Sequence, residues 1–352
     1  MQFLLHEISR SIQQGEDVLP ALAAKKLGIA PGQILECEIM RKSIDARSRR
    51  DLCFKYSLLV RLPQKVGERL EQKGLRAYAP EEPAPLEVGE ERLAGRAVVI
   101  GAGPCGLFAA LLLAQHGFRP LVLERGAKMA QREADVQALR EKGELDPESN
   151  ICFGEGGAGA FSDGKLTTRI KDRRVQNVLN AFVRHGAPEQ IRYEALPHLG
   201  TEHIRSAVVG LREEILSLGG EFEYGARFCD FEQKNGMLSA IYYEKNGAKI
   251  KVETGAAVLA IGHSARDTFE MLVSKGVALQ PKAFAMGVRA EHRQQFIDER
   301  QYGKYAGHPE LGAATYKLTA QHGGRGVYSF ACARAAKWSA RRRSRAARQS
   351  TA

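Results

Sequence analysis

The chain opens with short segments in which apolar and polar residues partly alternate. A period of two is typical of β-strands with one buried face. It predicts strands over residues 2–8, 34–40 and 52–62. The apolar spacing over residues 19–27 predicts a short helix that ends at Gly28. We therefore expect a small α+β domain over residues 1–77, followed by a proline-rich, acidic linker over residues 78–94.

Further along, the apolar runs become continuous, which is the pattern of strands buried on both faces of a parallel sheet. These runs lie at residues 97–100, 120–123 and 256–261. Apolar spacing near 3.6 predicts helices over residues 129–142, 175–185 and 202–218. Residues 221–253 are strand-rich, and their two Asn-Gly pairs predict the hairpin turns of a β-meander. The pattern predicts an α/β protein with an interrupted Rossmann-like fold, a parallel sheet and a β-meander.

The first continuous run leads into a glycine fingerprint. Gly101, Gly103 and Gly106 have the spacing Gly-x-Gly-x-x-Gly, and Glu124 ends the following strand. In this pattern the first glycine permits a tight turn, the second lets the backbone approach a pyrophosphate, and the third lets the helix pack on the strand. The helix amides face the phosphates, and the acid accepts hydrogen bonds from a ribose. The whole arrangement predicts a dinucleotide site.

A second glycine cluster occupies residues 150–166. Gly154, Gly156 and Gly159 repeat the fingerprint spacing, but no long strand precedes them and the residues after them open a helix poorly. Glycines permit positive φ and direct amide contact. We interpret the cluster as a loop that closely approaches a flat or phosphorylated group. The alternative is a plain flexible loop.

Composition restricts the class of protein. With 352 residues, 44% of them apolar and 26% charged, the chain is expected to be a soluble globular protein of two or three domains. Residues 97–117 are long enough for a membrane span, but a buried βαβ unit explains their glycines and proline better. Six cysteines without a Cys-x-x-Cys pair predict reduced thiols and no metal site. The N-terminus does not resemble a signal peptide. Together with the reduced thiols, this predicts a cytoplasmic protein.

The net charge of +11 comes mainly from the C-terminal end. Residues 331–352 carry seven Lys or Arg residues and no acid, and the charge without them is +4. Nucleic acid is therefore not the expected partner. The basic segment 41–50 has two interpretations, a binding loop for RNA or another anion and a solvated hairpin loop. The solvated loop is preferred, because no stacking aromatic residues accompany the charges.

The order of these segments is similar to that of flavoproteins of the glutathione-reductase-like superfamily, in which a βαβ start and a late strand ending in glycine both contact FAD. Three motifs narrow the resemblance: Gly-Pro-Cys-Gly at 103–106, the run from Phe-Gly-Glu-Gly-Gly to Asp-Gly-Lys-Leu at 153–166, and Ile-Gly-His-Ser-Ala-Arg-Asp-Thr at 261–268. Together with Arg-Lys-Ser-Ile-Asp-Ala-Arg at 41–47, they resemble the bacterial family of uncharacterised FAD-dependent dehydrogenases (NAD/FAD-utilising oxidoreductases) over residues 1–330.

This resemblance implies an FAD-dependent oxidoreductase of the dehydrogenase type, with an unknown small-molecule substrate and NAD(P)H as a candidate electron donor. It implies that residues 95–330 form an FAD-binding domain with an inserted substrate or cap segment. The implied cofactor-binding residues are Gly101, Ala102, Gly103, Pro104, Cys105, Gly106, Glu124, Arg125, Gly154, Gly156, Gly157, Gly159, Ala226, Arg227, Ala260 and Gly262. The alternative function is an RNA- or anion-binding protein that uses FAD structurally.

Catalytic residues are harder to predict, because a flavin carries the redox chemistry itself. Lys165 and Asp163 follow the second glycine cluster, where a cation near the pyrimidine edge would stabilise a reduced flavin. A surface ion pair is the alternative. His263 follows the late apolar strand and is a candidate for proton exchange with a substrate, with a structural histidine as the alternative.

Residues 331–352 depart from the family's pattern and are expected to form a disordered, basic tail. A shifted reading frame in GC-rich DNA is a second explanation. Restoring one T before a GC-rich coding of residues 331–340 yields Cys-Met-Cys-Pro-Gly-Gly-Glu-Val-Val-Gly, which resembles the family's continuation. On this hypothesis the FAD-binding domain is truncated and incomplete, and whether the shortened chain is active stays open.

Overall fold

The alternating segments near the N-terminus form a three-stranded antiparallel sheet in the computed structural model, which describes residues 1–48, 51–80, 89–162, 164–168, 170–284, 286–288 and 290–329. The strands are β1 (Gln2–Ser11), β2 (Glu36–Asp45) and β3 (Cys53–Arg61), and β3 lies in the middle. Two helices, α1 (Leu19–Leu27) and α2 (Gln64–Gln72), contribute apolar side chains to the core on one face of this sheet.

The predicted loop over residues 41–50 is corrected in part, because β2 continues to Asp45. Arg41 and Lys42 pair with Ser57 and Tyr56 on β3 and extend the ladder beyond the predicted strand end. The Lys42 ammonium lies 2.6 Å from the Glu16 carboxylate, so its charge is neutralised within the sheet. Cross-strand pairing of this kind is a tertiary effect that outweighs the low strand propensity of charged residues. Residues 49 and 50 lie outside the described part.

The continuous apolar runs form the parallel sheet. Its elements come in the order β4 (Val98–Ile100), α3 (Pro104–Gln115), β5 (Leu121–Glu124), α4 (Met129–Lys142), α5 (Arg174–Arg184), α6 (Gly200–Ser217) and β6 (Glu221–Tyr224). The meander consists of β7 (Arg227–Lys234), β8 (Met237–Lys245) and β9 (Ala248–Glu253), and β10 (Ala257–Leu259) and α7 (Arg266–Ser274) come next. Helix α8 (Gln294–Tyr302) and the hairpin of β11 (Thr319–His322) and β12 (Arg325–Tyr328) complete the described elements.

The parallel sheet has the strand order β10-β4-β5-β6, with the antiparallel meander β7-β8-β9 packed against it. Val99 and Val122 face a core shared with α3 and α6, whereas Val98 and Leu121 face the meander. Both faces are covered, which explains why these strands read as unbroken apolar runs. The predicted α/β fold with a parallel sheet and a β-meander is confirmed.

Two details of this region test the sequence predictions directly. Both Asn-Gly pairs, at 235–236 and 246–247, have positive φ at each residue, and they form the predicted hairpin turns. The prediction that the late strand is fully buried is wrong. Strand β10 lies at the edge of the described sheet, and Val258 and Leu259 are 37% and 46% exposed.

The core of the N-terminal sheet includes side chains from far along the chain. Tyr302, Leu311 and Ala314 are buried in the same cluster as Phe3 and Leu58. The predicted boundaries at residues 77 and 94 stay predictions, but this packing shows that the N-terminal sheet is completed by residues 302–314. Residues 81–88 of the predicted linker, and the predicted tail over residues 331–352, lie outside the described residues.

Among the described residues, no helix combines the length and apolar character required to cross a membrane.

We expect Leu58→Ala to lower the free energy of unfolding by about 2–5 kcal/mol, because the substitution leaves a cavity in the core that packs on the central strand β3. Leu58 is fully buried, and chemical denaturation measures the loss. The control Met237→Ala removes a side chain that is 70% exposed and should change stability by less than about 0.5 kcal/mol. Equal effects of the two substitutions would contradict the packing described.

Candidate functional site

A cavity of about 470 Å³ opens where β4 and β5 end, beside the first turn of α3. This is the edge at which open α/β sheets bind ligands. Thirteen of the sixteen residues predicted to bind the cofactor line it: Gly101, Gly103, Pro104, Cys105, Glu124, Arg125, Gly154, Gly157, Gly159, Ala226, Arg227, Ala260 and Gly262. Segments more than 150 residues apart in sequence therefore converge on one cavity. Ala102, Gly106 and Gly156 do not line it.

The first glycine turn is built as the fingerprint requires. Gly101 has φ +105°, and a Cβ there would lie 2.5 Å from the Ala260 carbonyl oxygen. At Gly106, a Cβ would lie 1.8 Å from the Gly101 carbonyl oxygen, so only glycine lets α3 pack this closely on the turn. No side chain caps the amino end of α3, which leaves its first-turn N–H groups available to a ligand.

The second glycine cluster lies directly on this turn. The Gly156 N–H donates to the Ala102 carbonyl at 2.8 Å, and Gly157 begins a single 3-10 turn that ends at Phe161. The sequence predicted that this loop closely approaches another group. In the described residues, the group that it contacts is the backbone of the first glycine turn.

Glu124 connects the two glycine turns. Its carboxylate accepts hydrogen bonds from three backbone N–H groups, those of Ala102 at 2.8 Å and of Gly126 and Gly154 at 2.9 Å. A carboxylate can accept about four hydrogen bonds, so these three leave room for one more. The structure therefore assigns Glu124 a role in loop architecture, while its predicted contact with a ribose stays a prediction.

The buried Arg132 side chain binds the second glycine loop on its inner side. The sequence analysis did not predict this role for Arg132. The guanidinium donates to the carbonyls of Asn150, Ile151, Gly154 and Glu155, and the side chain is fully buried. Burial lowers the pKa of Arg132 to about 10. The signal in the sequence is a cation within the apolar stripe of α4, at the helical spacing of Met129, Val136 and Leu139.

Glu155, also missed, anchors the same loop to three elements. Its carboxylate accepts from the Arg212 guanidinium at 2.7 Å, the Tyr224 hydroxyl at 3.0 Å and the Met129 N–H at 2.6 Å. The side chain is fully buried, and its charge is paired with that of Arg212. Burial, and then the Glu155 charge, raise the pKa of Tyr224 far above its usual range, so the phenol stays a hydrogen-bond donor.

An ion network closes one side of the cavity. Arg125 pairs with Glu148 at 2.8 Å and with Asp267 on α7 at 2.9 Å. Asp267 also lies 3.2 Å from Arg227 on β7, and the Arg125 guanidinium stacks over the Phe153 ring at 4.3 Å. The two predicted arginines therefore share a carboxylate that sequence reasoning did not single out.

The predicted catalytic residues are not brought together at this cavity. His263 is exposed and lines it. Lys165 forms a backbone bridge with His198 and does not line the cavity. Asp163 lies outside the described residues. In the part of the chain that is described, no cluster of three or more His, Cys, Asp or Glu side chains is arranged to hold a metal ion.

Family models match three parts of the chain. Residues 95–138 match an FAD binding domain, and residues 283–333 match a model described as FAD-dependent protein, C-terminal domain-like. Residues 4–61 match a domain of unknown function (DUF8436). The match at residues 95–138 covers the glycine fingerprint and Glu124, and it identifies FAD as the cofactor, as the family resemblance implied.

A protein of Clostridium beijerinckii is similar over nearly the whole chain. It is described as uncharacterized and is 42% identical over 334 residues, which cover 94% of this chain and 62% of that protein. The chain thus spans less than two thirds of the length of this relative.

Several solved structures are remotely similar to this chain. The THI4 protein of Thermovibrio ammonificans is 16% identical, with a TM-score of 0.36 over 52% of this chain and 64% of that chain. A 3-ketosteroid dehydrogenase of Rhodococcus jostii RHA1 is also 16% identical, with a TM-score of 0.31 over 47% of this chain and 45% of that one.

We expect Arg132→Met to lower the free energy of unfolding by about 3 kcal/mol or more, because four buried carbonyls lose their donor. Arg140→Met on the same helix is the matched control, because Arg140 is exposed. Denaturation of both variants measures the difference, and FAD retention should fall only in the first. If Arg132→Met were as stable as the control, the loop would not depend on this guanidinium.

We expect Asp267→Asn to reduce the loss of stability that the protein undergoes as the pH falls. Burial is the largest influence and raises the Asp267 pKa, but the hydrogen bonds and charge of Arg125, together with the hydrogen bonds of Thr268 and Arg227, outweigh it, so the net pKa is lowered. A lowered pKa means stabilisation that is present above the unfolded value near 4 and lost as the pH falls through the folded value. The stability gap between wild type and variant should therefore be largest near neutral pH and close below about pH 4.

Thermal melts from pH 7 to pH 3 measure this gap. Glu270→Gln on α7 is the control, because Glu270 is exposed. A gap for Asp267→Asn that did not change with pH would show that the network does not stabilise the fold.

Proposed function

We propose that the chain is an FAD-dependent oxidoreductase of the dehydrogenase type, with its flavin nucleotide in the cavity at the ends of β4 and β5. The observation that carries the proposal is the convergence of four separate glycine- or alanine-containing segments on one cavity, beside an uncapped helix terminus. The dehydrogenase type, the glutathione-reductase-like ancestry and NAD(P)H as electron donor rest on the sequence resemblance.

The residues present suit a dinucleotide with a diphosphate. The first-turn N–H groups of α3 would bind the pyrophosphate, because an uncapped helix N-terminus favours an anion. Gly103 leaves this approach open, since the nearest atom to a Cβ built there is 3.7 Å away. The remaining acceptor position of Glu124 would hold the ribose. Ala226 and Arg227 would border the adenine, and Ala260 and Gly262 the flavin nucleotide.

FAD, when bound, supplies the transfer of a hydride between donor and substrate. The residues of this chain then position it and adjust its surroundings. Arg132 and Glu155 act indirectly, because they hold the loop backbone that faces the cavity. His263, exposed at the same cavity, is the candidate for holding a substrate proton. We propose a cytoplasmic location, in accord with the composition.

The test is whether the purified chain binds FAD through the glycine turn. We expect a flavin absorption spectrum after incubation with FAD, and reduction of that flavin by NADH or NADPH in the absence of oxygen. Gly103→Val should weaken FAD binding by tenfold or more, on the order of 1.4 kcal/mol. A Cβ at this position is in ordinary van der Waals contact, 3.7 Å from the Gly157 Cα, and circular dichroism checks that the fold is kept.

The control for this substitution is Gly32→Val, at a position where a Cβ meets no atom within 4 Å and which does not line the cavity. It should bind FAD as the wild type does. A wild-type chain that stays colourless when offered FAD would overturn the proposed site. A flavin that binds but is not reduced by either nicotinamide would overturn the proposed electron donor alone.

The alternative function, an RNA- or anion-binding protein that acts through residues 41–50 and uses FAD structurally, stays a prediction. Salt-dependent binding of RNA that survives removal of residues 331–352 would support it.

A further inference from the structure

A second cavity, of about 610 Å³, lies on the N-terminal sheet, and none of the predicted flavin residues lines it. It is formed by the face of the sheet opposite the apolar core. Lys55 and Ser57 of β3 form its floor, with Arg41 and Ser43 of β2 beside them. Its volume is within the range of small-molecule sites.

Two β-bulges shape this cavity, one on each side of β3. The register shifts between Leu5 and Ile8 on β1 and between Ile39 and Arg41 on β2, and both shifts flank the same step of the central strand. Within the β1 bulge Glu7 has φ +55°, a left-handed conformation that is unusual for a residue other than glycine. Bulges redirect side chains and are typical of binding sites. Here they bring His6, Glu7 and Arg41 to the cavity.

The cations at this cavity differ in how far they are already neutralised. Arg47 is held by two hydrogen bonds to Asp45, at 2.9 and 2.6 Å, and they lower the pKa of that carboxyl to about 2. Lys55 donates to Ser9 at 2.7 Å and lies 3.8 Å from Glu7, whose side chain is 77% exposed. Arg41 is exposed, and no carboxylate of the described residues pairs with it. Arg41 and Lys55 are therefore the cations available to an anion.

The polar groups around these cations suit a phosphate ester better than a nucleic acid. Arginine binds phosphate oxygens through a planar fork, and lysine and serine add single donors. The exposed Glu7 carboxylate can accept hydrogen bonds from hydroxyl groups of the same ligand. Of the aromatic side chains that line the cavity, Tyr56 is only 1% exposed and offers no surface for stacking the bases of a single strand. His6 is exposed, and its ring Nδ1 lies 3.0 Å from the Ser57 hydroxyl. One small ring does not provide the series of aromatic surfaces on which successive bases of a single strand stack.

We propose that this cavity binds a small phosphate ester of a polyol, such as a nucleotide or a sugar phosphate. Arg41 and Lys55 bind the phosphate, with Ser43 and Ser57 as further donors, and Glu7 binds hydroxyl groups. The proposal is independent of the flavin function, because the two cavities share no lining residue.

The test is calorimetric titration of the full chain, carried out both without FAD and in saturating FAD, so that phosphate binding at the first cavity is separated from binding at this one. The probes are inorganic phosphate, adenosine 5′-monophosphate and glucose 6-phosphate at constant ionic strength. We expect at least one ester to bind more tightly than inorganic phosphate, and the preferred ester distinguishes a nucleotide site from a sugar-phosphate site. The double variant Arg41→Ala/Lys55→Ala should bind that ester at least about tenfold more weakly.

The matched control is Lys65→Ala/Arg69→Ala, which removes the same charge from exposed positions on α2. If the double variant at the cavity proves unstable by circular dichroism, Arg41→Gln alone replaces it, because Arg41 is exposed. Equal weakening by the control, or no binding of any ester at millimolar concentration, would overturn the proposal. So would tighter binding of a single-stranded RNA that depends on Arg41 and Lys55.

Discussion

The glycine-rich turns of this protein depend on two buried charges that take opposite ends of the peptide group. The Arg132 guanidinium donates hydrogen bonds to loop carbonyls, and the Glu124 carboxylate accepts them from loop N–H groups. Both side chains are buried. A buried peptide group without a partner costs about 1–3 kcal/mol, so a tight, apolar loop needs such partners. Because the charges attract each other, each also lowers the cost of burying the other.

This arrangement explains how a loop so rich in glycine keeps one shape. Glycine loses more conformational entropy on folding than any other residue, and the second cluster contains four in six positions between Gly154 and Gly159. The hydrogen bonds to Arg132, Glu124 and Glu155 offset that loss from the inner side. The outer side then presents backbone rather than side chains to the cavity. A flat or phosphorylated ligand can approach it closely.

Backbone pairing also connects the N-terminal sheet to this region. Lys42 on β2 exchanges hydrogen bonds with the segment at Tyr193 and Ala195, at 2.8 and 2.9 Å. A few residues later, Leu199 donates to Gly164 at 2.9 Å, next to the end of the second glycine cluster. Main-chain bonds of this kind are less tolerant of displacement than surface ion pairs. The segment at 193–199 thus links β2 to the end of the second glycine cluster through backbone hydrogen bonds.

The sequence alone determined the parts of the protein that obey local rules. Continuous apolar runs, Asn-Gly turns and glycine spacing reflect burial on two faces, positive φ and close backbone approach, which act within a few residues. They predicted the parallel sheet, the meander and the first glycine turn with Glu124, whereas the family resemblance implied the cavity residues Ala226, Arg227, Ala260 and Gly262. Tertiary structure alone decided that β2 extends through Arg41 and Lys42, that Tyr302 completes the N-terminal core, and that Arg132 and Asp267 serve the site. Each of these features depends on a residue that is distant in sequence and that either neutralises a charge or fills a space in the core. A local sequence pattern does not identify such a distant partner.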